Sequence, residues 1–208
     1  MRILQIGSTG TVGSAVAAAL RARGHDVIAA DHPGPGSPEP ALAVDLTDPA
    51  SVAQVWQAVG RVDAAVSTVG LLELAPLSRL TTAQVEASLR GKLLSQVDLV
   101  LQGLPYVATP GSFTLVSGIM SRIPWAGGVT AAAANGGVEA FVRAVAAELG
   151  DGRRINAVSP GIVQESIDSL GGDNPLPGHE PVPAARVAAA YVRSVEGIES
   201  GTTFRVGH

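Results

Sequence analysis

Hydrophobic positions along the chain fall into short continuous runs, separated by longer stretches in which apolar residues recur every three or four positions. The runs predict β-strands at Ile3–Ile6, Val27–Ala30, Ala41–Val44, Ala64–Ser67, Phe113–Val116, Ile155–Val158 and Thr203–Val206. The helical spacing predicts helices over Val12–Arg23, Pro49–Val59, Thr81–Leu104, Thr130–Leu149 and Pro183–Val195. Strands alternating with helices of this length predict a parallel sheet covered by helices on both faces. Two segments break the pattern. DHPGPGSPEP (Asp31–Pro40) is expected to be a surface loop, and GGDNPLPGHEPVP (Gly171–Pro183) part of a flap over a site, near 164–183. There is no internal repeat, and 208 residues fit one domain, 1–208.

Composition narrows the partners. Aromatic residues make up 3% and charged residues 15%, so the core must be built from Ala, Val, Leu and Ile. A net charge of -4 without any basic cluster argues against nucleic acid or an anionic membrane as partner. The absence of cysteine removes thiolate nucleophiles and thiolate metal sites. The four histidines lack metal-ligand spacing, so no metal is expected. The N-terminus runs directly into a strand pattern, with no signal peptide or spanning segment in view, and a cytoplasmic location is the expectation.

The segment IGSTGTVGSAVAAAL places Gly7, Gly10 and Gly13 between a strand and an amphipathic helix. Glycines there allow a tight turn and a close backbone approach to a diphosphate, whose oxygens the free N–H groups at the helix start can bind. The turn Gly7, Ser8, Thr9, Gly10, Thr11, Val12 and Gly13 is therefore the candidate cofactor cradle.

Four markers, GSTGTVG (Gly7–Gly13), VDLTD (Val44–Asp48), DAAVSTVG (Asp63–Gly70) and RINAVSPGIV (Arg154–Val163), occur in an order that resembles the short-chain dehydrogenase/reductase family of NAD(P)-dependent oxidoreductases. The resemblance covers nearly the whole chain. It implies an α/β fold of Rossmann type: a doubly wound, mainly parallel seven-stranded sheet flanked by helices. It also implies that Asp45 and Leu46 border the adenine, and that Ser67, Thr68, Val69 and Gly70 lie beside the cofactor in place of the usual Asn-Asn-Ala-Gly. Pro160, Gly161, Ile162 and Val163 should border the nicotinamide. Asp31 closes the second strand, where a carboxylate accepts hydrogen bonds from ribose hydroxyls and repels a 2′-phosphate. No Lys or Arg occurs between Arg23 and Arg61, so NAD(H) is favoured over NADP(H), although a protonated His32 could assist a phosphate.

The departure from the family lies in TAAAANGGVEAFVRAVAAEL (Thr130–Leu149). Aligned on its tail, the helix places Ala131 where the family has its catalytic tyrosine and Asn135 where it has lysine. Neither residue titrates, so the usual Tyr–Lys acid/base pair cannot operate from these positions. The two tyrosines, Tyr106 and Tyr191, are not followed by Lys four residues later. By resemblance, Ser117 falls at or next to the family's catalytic serine, and Lys92, the chain's one lysine, falls where an Asn anchors a relay water. Ser117 and Lys92 are thus the catalytic candidates, with Ser121, Thr130, Asn135 and His179 as candidates for holding substrate. A hydrolase triad of Ser117, His179 and Asp173 is disfavoured, because no nucleophile-elbow glycines flank Ser117.

Three functions remain open. One is an NAD(H)-dependent oxidoreductase acting on a small carbonyl, alcohol or imine by a non-standard proton relay. The others are a non-redox enzyme (isomerase, dehydratase or cyclase) on the same scaffold, and a catalytically silent dinucleotide-binding sensor. The Ala- and Gly-rich helix Thr130–Leu149 leads to the expectation of a homodimer or homotetramer.

Overall fold

The computed structural model describes residues 1–33, 42–169, 174 and 176–208. Seven strands form one sheet: β1 (Arg2–Ile6), β2 (Asp26–Asp31), β3 (Leu42–Ala43), β4 (Val62–Ser67), β5 (Val107–Val116), β6 (Arg154–Pro160) and β7 (Thr203–Val206). Their order is β3-β2-β1-β4-β5-β6-β7, and every neighbouring pair is parallel. The sheet is thus parallel throughout rather than mainly so. Chain order reverses between β1 and β4, which opens a crevice at the carboxyl ends of these strands, the position where sheets of this kind bind ligands.

Among the described residues seven α-helices connect the strands: α1 (Thr11–Ala22), α2 (Pro49–Val59), α3 (Thr82–Ser88), α4 (Ser95–Gly103), α5 (Val129–Glu148), α6 (Gln164–Ser169) and α7 (Ala184–Glu196). Alternation along the strands divides the core in two. Leu4, Ile6, Phe113, Leu115 and Ile155 pack on one face against α2, α4 and α5. Ile3, Val66, Val158 and Phe204 pack on the other against α1 and α7. In the first half Trp56 is fully buried, stacks on Tyr106 at 5.6 Å between centroids and donates its indole N–H to the Leu99 carbonyl at 3.2 Å. Local chemistry sets several helix starts. Asp48 accepts from the Ala50 N–H ahead of Pro49, and Thr81 and Gln84 form a reciprocal capping box.

The structure corrects the sequence reading at four places. The helix expected over Thr81–Leu104 is divided, with a wide turn of π type at Leu89–Leu94 between α3 and α4. Periodicity did not show this, because the extra residue in one turn rotates the apolar stripe without interrupting it. Strand β5 begins at Val107, six residues earlier than expected. The flap near 164–183 contains a helix, α6, and is tied to the sheet side by a bridge between Val163 and Val182. Of the strand expected at Ala41–Val44, Leu42–Ala43 pairs with β2. Residues 34–41, most of the expected loop, and 170–173 and 175 of the expected flap lie outside the described residues. Among the described residues no helix is long and apolar enough to cross a membrane.

Two glycine substitutions should change stability in opposite directions. A Cβ at Gly103 would lie 2.5 Å from the Trp56 ring and 2.9 Å from Phe113, whereas one at Gly136 in α5 meets nothing within 4 Å. Gly103→Ala should therefore lower the unfolding free energy by about 1–2 kcal/mol, because overpacking of rigid rings outweighs the gain in helix propensity. Gly136→Ala should raise it by about 0.5–1 kcal/mol. Urea denaturation of both variants checks the signs.

Candidate active site at the switch of the sheet

The turn after β1 is held by contacts that need glycine. Gly7 has φ +86°, and a Cβ at Gly13 would lie 1.7 Å from the Gly7 carbonyl oxygen. Thr68 at the end of β4 clamps the same turn, its hydroxyl donating to the carbonyls of Ile6 (3.1 Å) and Gly7 (2.8 Å). Gly10 differs from these two: a Cβ there would meet only the Gly7 oxygen, at 3.9 Å, so its α-carbon faces open space at the start of α1. A backbone that packs tightly on one side and is bare on the other, at a helix N-terminus, has the form of an anion cradle.

Asp31, buried at the end of β2, turns its carboxylate to this loop. Ser8 donates to Oδ2 through its hydroxyl (2.5 Å) and N–H (3.1 Å), and Thr9 donates to Oδ1 through its hydroxyl (3.1 Å) and N–H (3.3 Å). Next to it, Ile6, His32, Val44, Asp45, Leu46 and Val69 line a cavity of about 350 Å³. Asp45 is shaped by Thr47, whose hydroxyl and N–H both donate to its Oδ1 and hold its carboxyl below the usual carboxylate range. Asp45 and Leu46, which the resemblance assigned to the adenine, therefore share one cavity with Val69, whereas Asp31 and Gly70 are not among its lining residues. At the other end, Gly161, Ile162 and Val163 follow Pro160 out of β6 and border a second cavity, of about 530 Å³. Ser67 is fully buried and its carbonyl accepts from Tyr191, so it serves as strand support.

Lys92 lies at the end of β5. The wide turn Leu89–Leu94 carries it inward, and it is 7% exposed. Its stem lies against Gly70, where a Cβ would come within 2.5 Å of Nζ, and Nζ donates to the Ser117 carbonyl at 3.2 Å. Gly70 thus makes room for the lysine. Desolvation, with no carboxylate contributing, pushes the ammonium down to about 8.

The hydroxyl of Ser117 points elsewhere. It is buried and donates to Glu139 Oε1 at 2.8 Å, while Ser121 donates to the same oxygen at 2.6 Å and Arg122 stands 3.8 Å from Oε2. Thr130 donates to the Glu73 carbonyl at 2.6 Å. Asn135 is buried and its Oδ1 has no hydrogen-bond partner. His179 occupies a turn in which its N–H donates to the Leu176 carbonyl and its carbonyl accepts from Asn174. The structure thus gathers Lys92, Ser117, Ser121 and Asn135 around the end of β5, whereas Thr130 and His179 belong to the segments around it. Both tyrosines are structural: Tyr106 stacks on Trp56, and Tyr191 is fully buried with its phenol pushed far up by desolvation.

Glu139 was missed by sequence reasoning. Its signal was available, since Ala131, Asn135 and Glu139 recur every four residues on one helix face, and that face is buried.

A family model described as enoyl-(acyl carrier protein) reductase matches residues 7–176. The crystal structure of the protein lin1944 from Listeria innocua is 40% identical, covers 99% of each chain and superposes with a TM-score of 0.92. A small-chain dehydrogenase in complex with NADPH is 24% identical, over 99% of this chain and 96% of that one, with a TM-score of 0.86. A short chain dehydrogenase from Mycobacterium smegmatis is 24% identical, over 100% and 91%, with a TM-score of 0.83. The last two are likenesses of fold. A search of curated proteins finds no match.

The buried ammonium has a stability signature. Its folded value of about 8 lies below the ordinary 10.5. Below pH 8 both states are protonated and the burial cost is carried in full. Between about 8 and 10.5 the folded state releases its proton first, so stability rises with pH, by on the order of 3 kcal/mol across the window. Lys92→Met keeps the stem and should abolish this rise while increasing stability at pH 7. Parallel melts of the two proteins from pH 7 to 10.5 isolate the difference.

Proposed function

The chain belongs to the short-chain dehydrogenase/reductase family, and from that premise we propose that it is an oxidoreductase for a small carbonyl, alcohol or imine. We further propose that it prefers NADH to NADPH and uses Lys92 where its relatives use a tyrosine–lysine pair. The observation that carries this reading is the shared cavity of Ile6, His32, Val44, Asp45, Leu46 and Val69, which opens beside a glycine turn whose Gly10 α-carbon is bare. One similar structure holds NADPH, which supports a nicotinamide dinucleotide as the class of cofactor. The choice between its two forms rests on Asp31.

When bound, the nicotinamide supplies or accepts the hydride. The chain's own residues do the rest. The first turn of α1 offers backbone N–H groups to a diphosphate, and Gly10 leaves space for it. Asp31 offers acceptor oxygens to ribose hydroxyls, in exchange for one or more of its present bonds from Ser8 and Thr9. A 2′-phosphate at this place would meet a carboxylate with no nearby Lys or Arg in the sequence. Asn135 presents an unpartnered carbonyl oxygen to any donor that enters. Lys92 holds a proton at Nζ below pH 8 and releases it above, so it can give a proton to a developing alkoxide in reduction and take one in oxidation.

A second reading, a catalytically silent dinucleotide-binding protein, is favoured by one observation. The hydroxyls of Ser117, Ser121 and Thr130 are each committed to protein acceptors, Tyr191 lies in the core and Tyr106 packs against it. Protein that binds NADH but oxidises it with no carbonyl or imine compound in a broad panel would be of this kind.

Two outcomes test the proposal. Fluorescence titration should show tighter binding of NADH than of NADPH, and Asp31→Ala should narrow the difference; equal affinities in the wild type would remove Asp31 from this role. Carbonyl reduction should fall as pH rises through about 8, and Lys92→Met should reduce turnover on the order of a hundredfold with NADH affinity nearly intact. Unchanged turnover would end the proposal for Lys92.

A further inference from the structure

The cavity of about 530 Å³ beyond Gly161 is built from two directions. Leu74, Met120 and Trp125 come from the connections that follow β4 and β5, and Ile162, Ile167 and Leu176 from the connection that follows β6. Among the described residues its lining contains no charged side chain, and its one hydroxyl-bearing residue there, Ser166, is already engaged by other contacts.

Three charged groups adjacent in sequence, Arg122, Glu165 and Asp168, are engaged elsewhere. Arg122 stands beside Glu139, itself the acceptor for two serine hydroxyls. The Glu165 carboxylate accepts from the Ala184 N–H at 3.0 and 3.1 Å, and Asp168 accepts from Gln164. The apolar lining is also fixed in place. The backbone at Glu73, next to Leu74, is held by Ser88 at its N–H (2.9 Å) and by Thr130 at its carbonyl (2.6 Å). Gly127, at φ +85°, lets the turn after Trp125 close, and Gly128 donates to the Trp125 carbonyl at 2.9 Å. A Cβ at Gly128 would lie 2.9 Å from the Met120 sulfur, so the turn and Met120 are in close register.

A preformed cavity of this kind rewards apolar area and penalises an ionised group, which would lose its hydration without gaining a partner. Resting on the oxidoreductase reading above, we propose that this cleft receives the uncharged hydrocarbon body of the substrate. The protein then selects aliphatic or cyclic ketones and aldehydes over carboxylated, phosphorylated or polyhydroxylated ones. Leu74 and Trp125 are the specificity-determining residues, and segment 161–163, which borders the same cleft, connects it to the predicted nicotinamide end.

Trp125 is half-buried at the cleft, whereas Trp56 is sealed in the core, so tryptophan fluorescence reads occupancy of the cleft without cofactor or turnover. The probes are 2-heptanone and 6-oxoheptanoate, which share a methyl ketone and chain length and differ in a terminal methyl or carboxylate. Titration should give at least about tenfold tighter binding of 2-heptanone. Trp125→Phe should abolish the signal. Leu74→Arg, at a position 48% exposed and therefore tolerant of a long side chain, should weaken 2-heptanone and strengthen 6-oxoheptanoate. Equal or tighter binding of 6-oxoheptanoate by the wild type, or a signal that survives in Trp125→Phe, overturns the proposal. Binding of 2-heptanone without any NADH oxidation would leave the cleft assignment standing and remove the redox reading. NADH-dependent reduction of both ketones with equal efficiency would do the reverse.

Discussion

The closeness of α1 to the turn that precedes it governs the rest of the cleft. No side chain fits between the Gly7 carbonyl and the Gly13 α-carbon, where a Cβ would sit 1.7 Å from the oxygen. Gln5, fully buried in β1, donates to the Gly13 carbonyl at 2.7 Å, and Thr68 grips the Gly7 carbonyl from β4. These contacts fix where the helix begins relative to two adjacent strands. That placement leaves Gly10 bare, brings Ser8 and Thr9 to Asp31, and sets the floor of the cavity that Val69 and Leu46 complete. A larger residue at position 13 would displace all of them together, because the turn and the helix are one packed unit.

Two buried charges near the end of β5 are treated in opposite ways. Glu139 is satisfied by two hydroxyls and an adjacent guanidinium, and it binds the segment Ser117–Arg122 to α5. Lys92 has one carbonyl and no carboxylate, so the fold carries the cost of a poorly compensated ammonium. A buried cation that desolvation pushes down is a candidate for a functional role, and this is the ground on which the proposed function uses Lys92. The wide turn at Leu89–Leu94 belongs to the same arrangement, since it is the turn that buries Lys92. The orphaned Asn135 oxygen adds a second deficit on the opposing helix. Stability is given up on both sides of one place, at the end of β5.

Much of this was legible in the sequence because it depends on local periodicity and on glycine. Alternating strands and helices required a parallel sheet, and GSTGTVG between a strand and a helix required a tight turn at its first crossing. Asp31 was readable as the residue that closes the second strand, and Ala131 and Asn135 as residues unable to do acid–base work. None of this needs knowledge of distant contacts, because side-chain period, backbone freedom and the presence of a titratable group belong to the residues themselves.

Direction and partnership were decided by the tertiary structure. Resemblance made Ser117 a catalytic candidate, but only packing against α5 shows that its hydroxyl is spent on Glu139. Lys92 was readable as an unusual lysine, yet its burial follows from a change of helical phase at Leu89–Leu94 and from the bare face of Gly70 on another element. The apolar cleft joins Leu74, Trp125 and Ile162, residues far apart in the chain, and no local pattern could bring them together. The sequence by itself determined which groups exist and which elements carry them. The fold decided which are desolvated and what each one meets, because burial and hydrogen-bond partnership arise between segments that are distant along the chain.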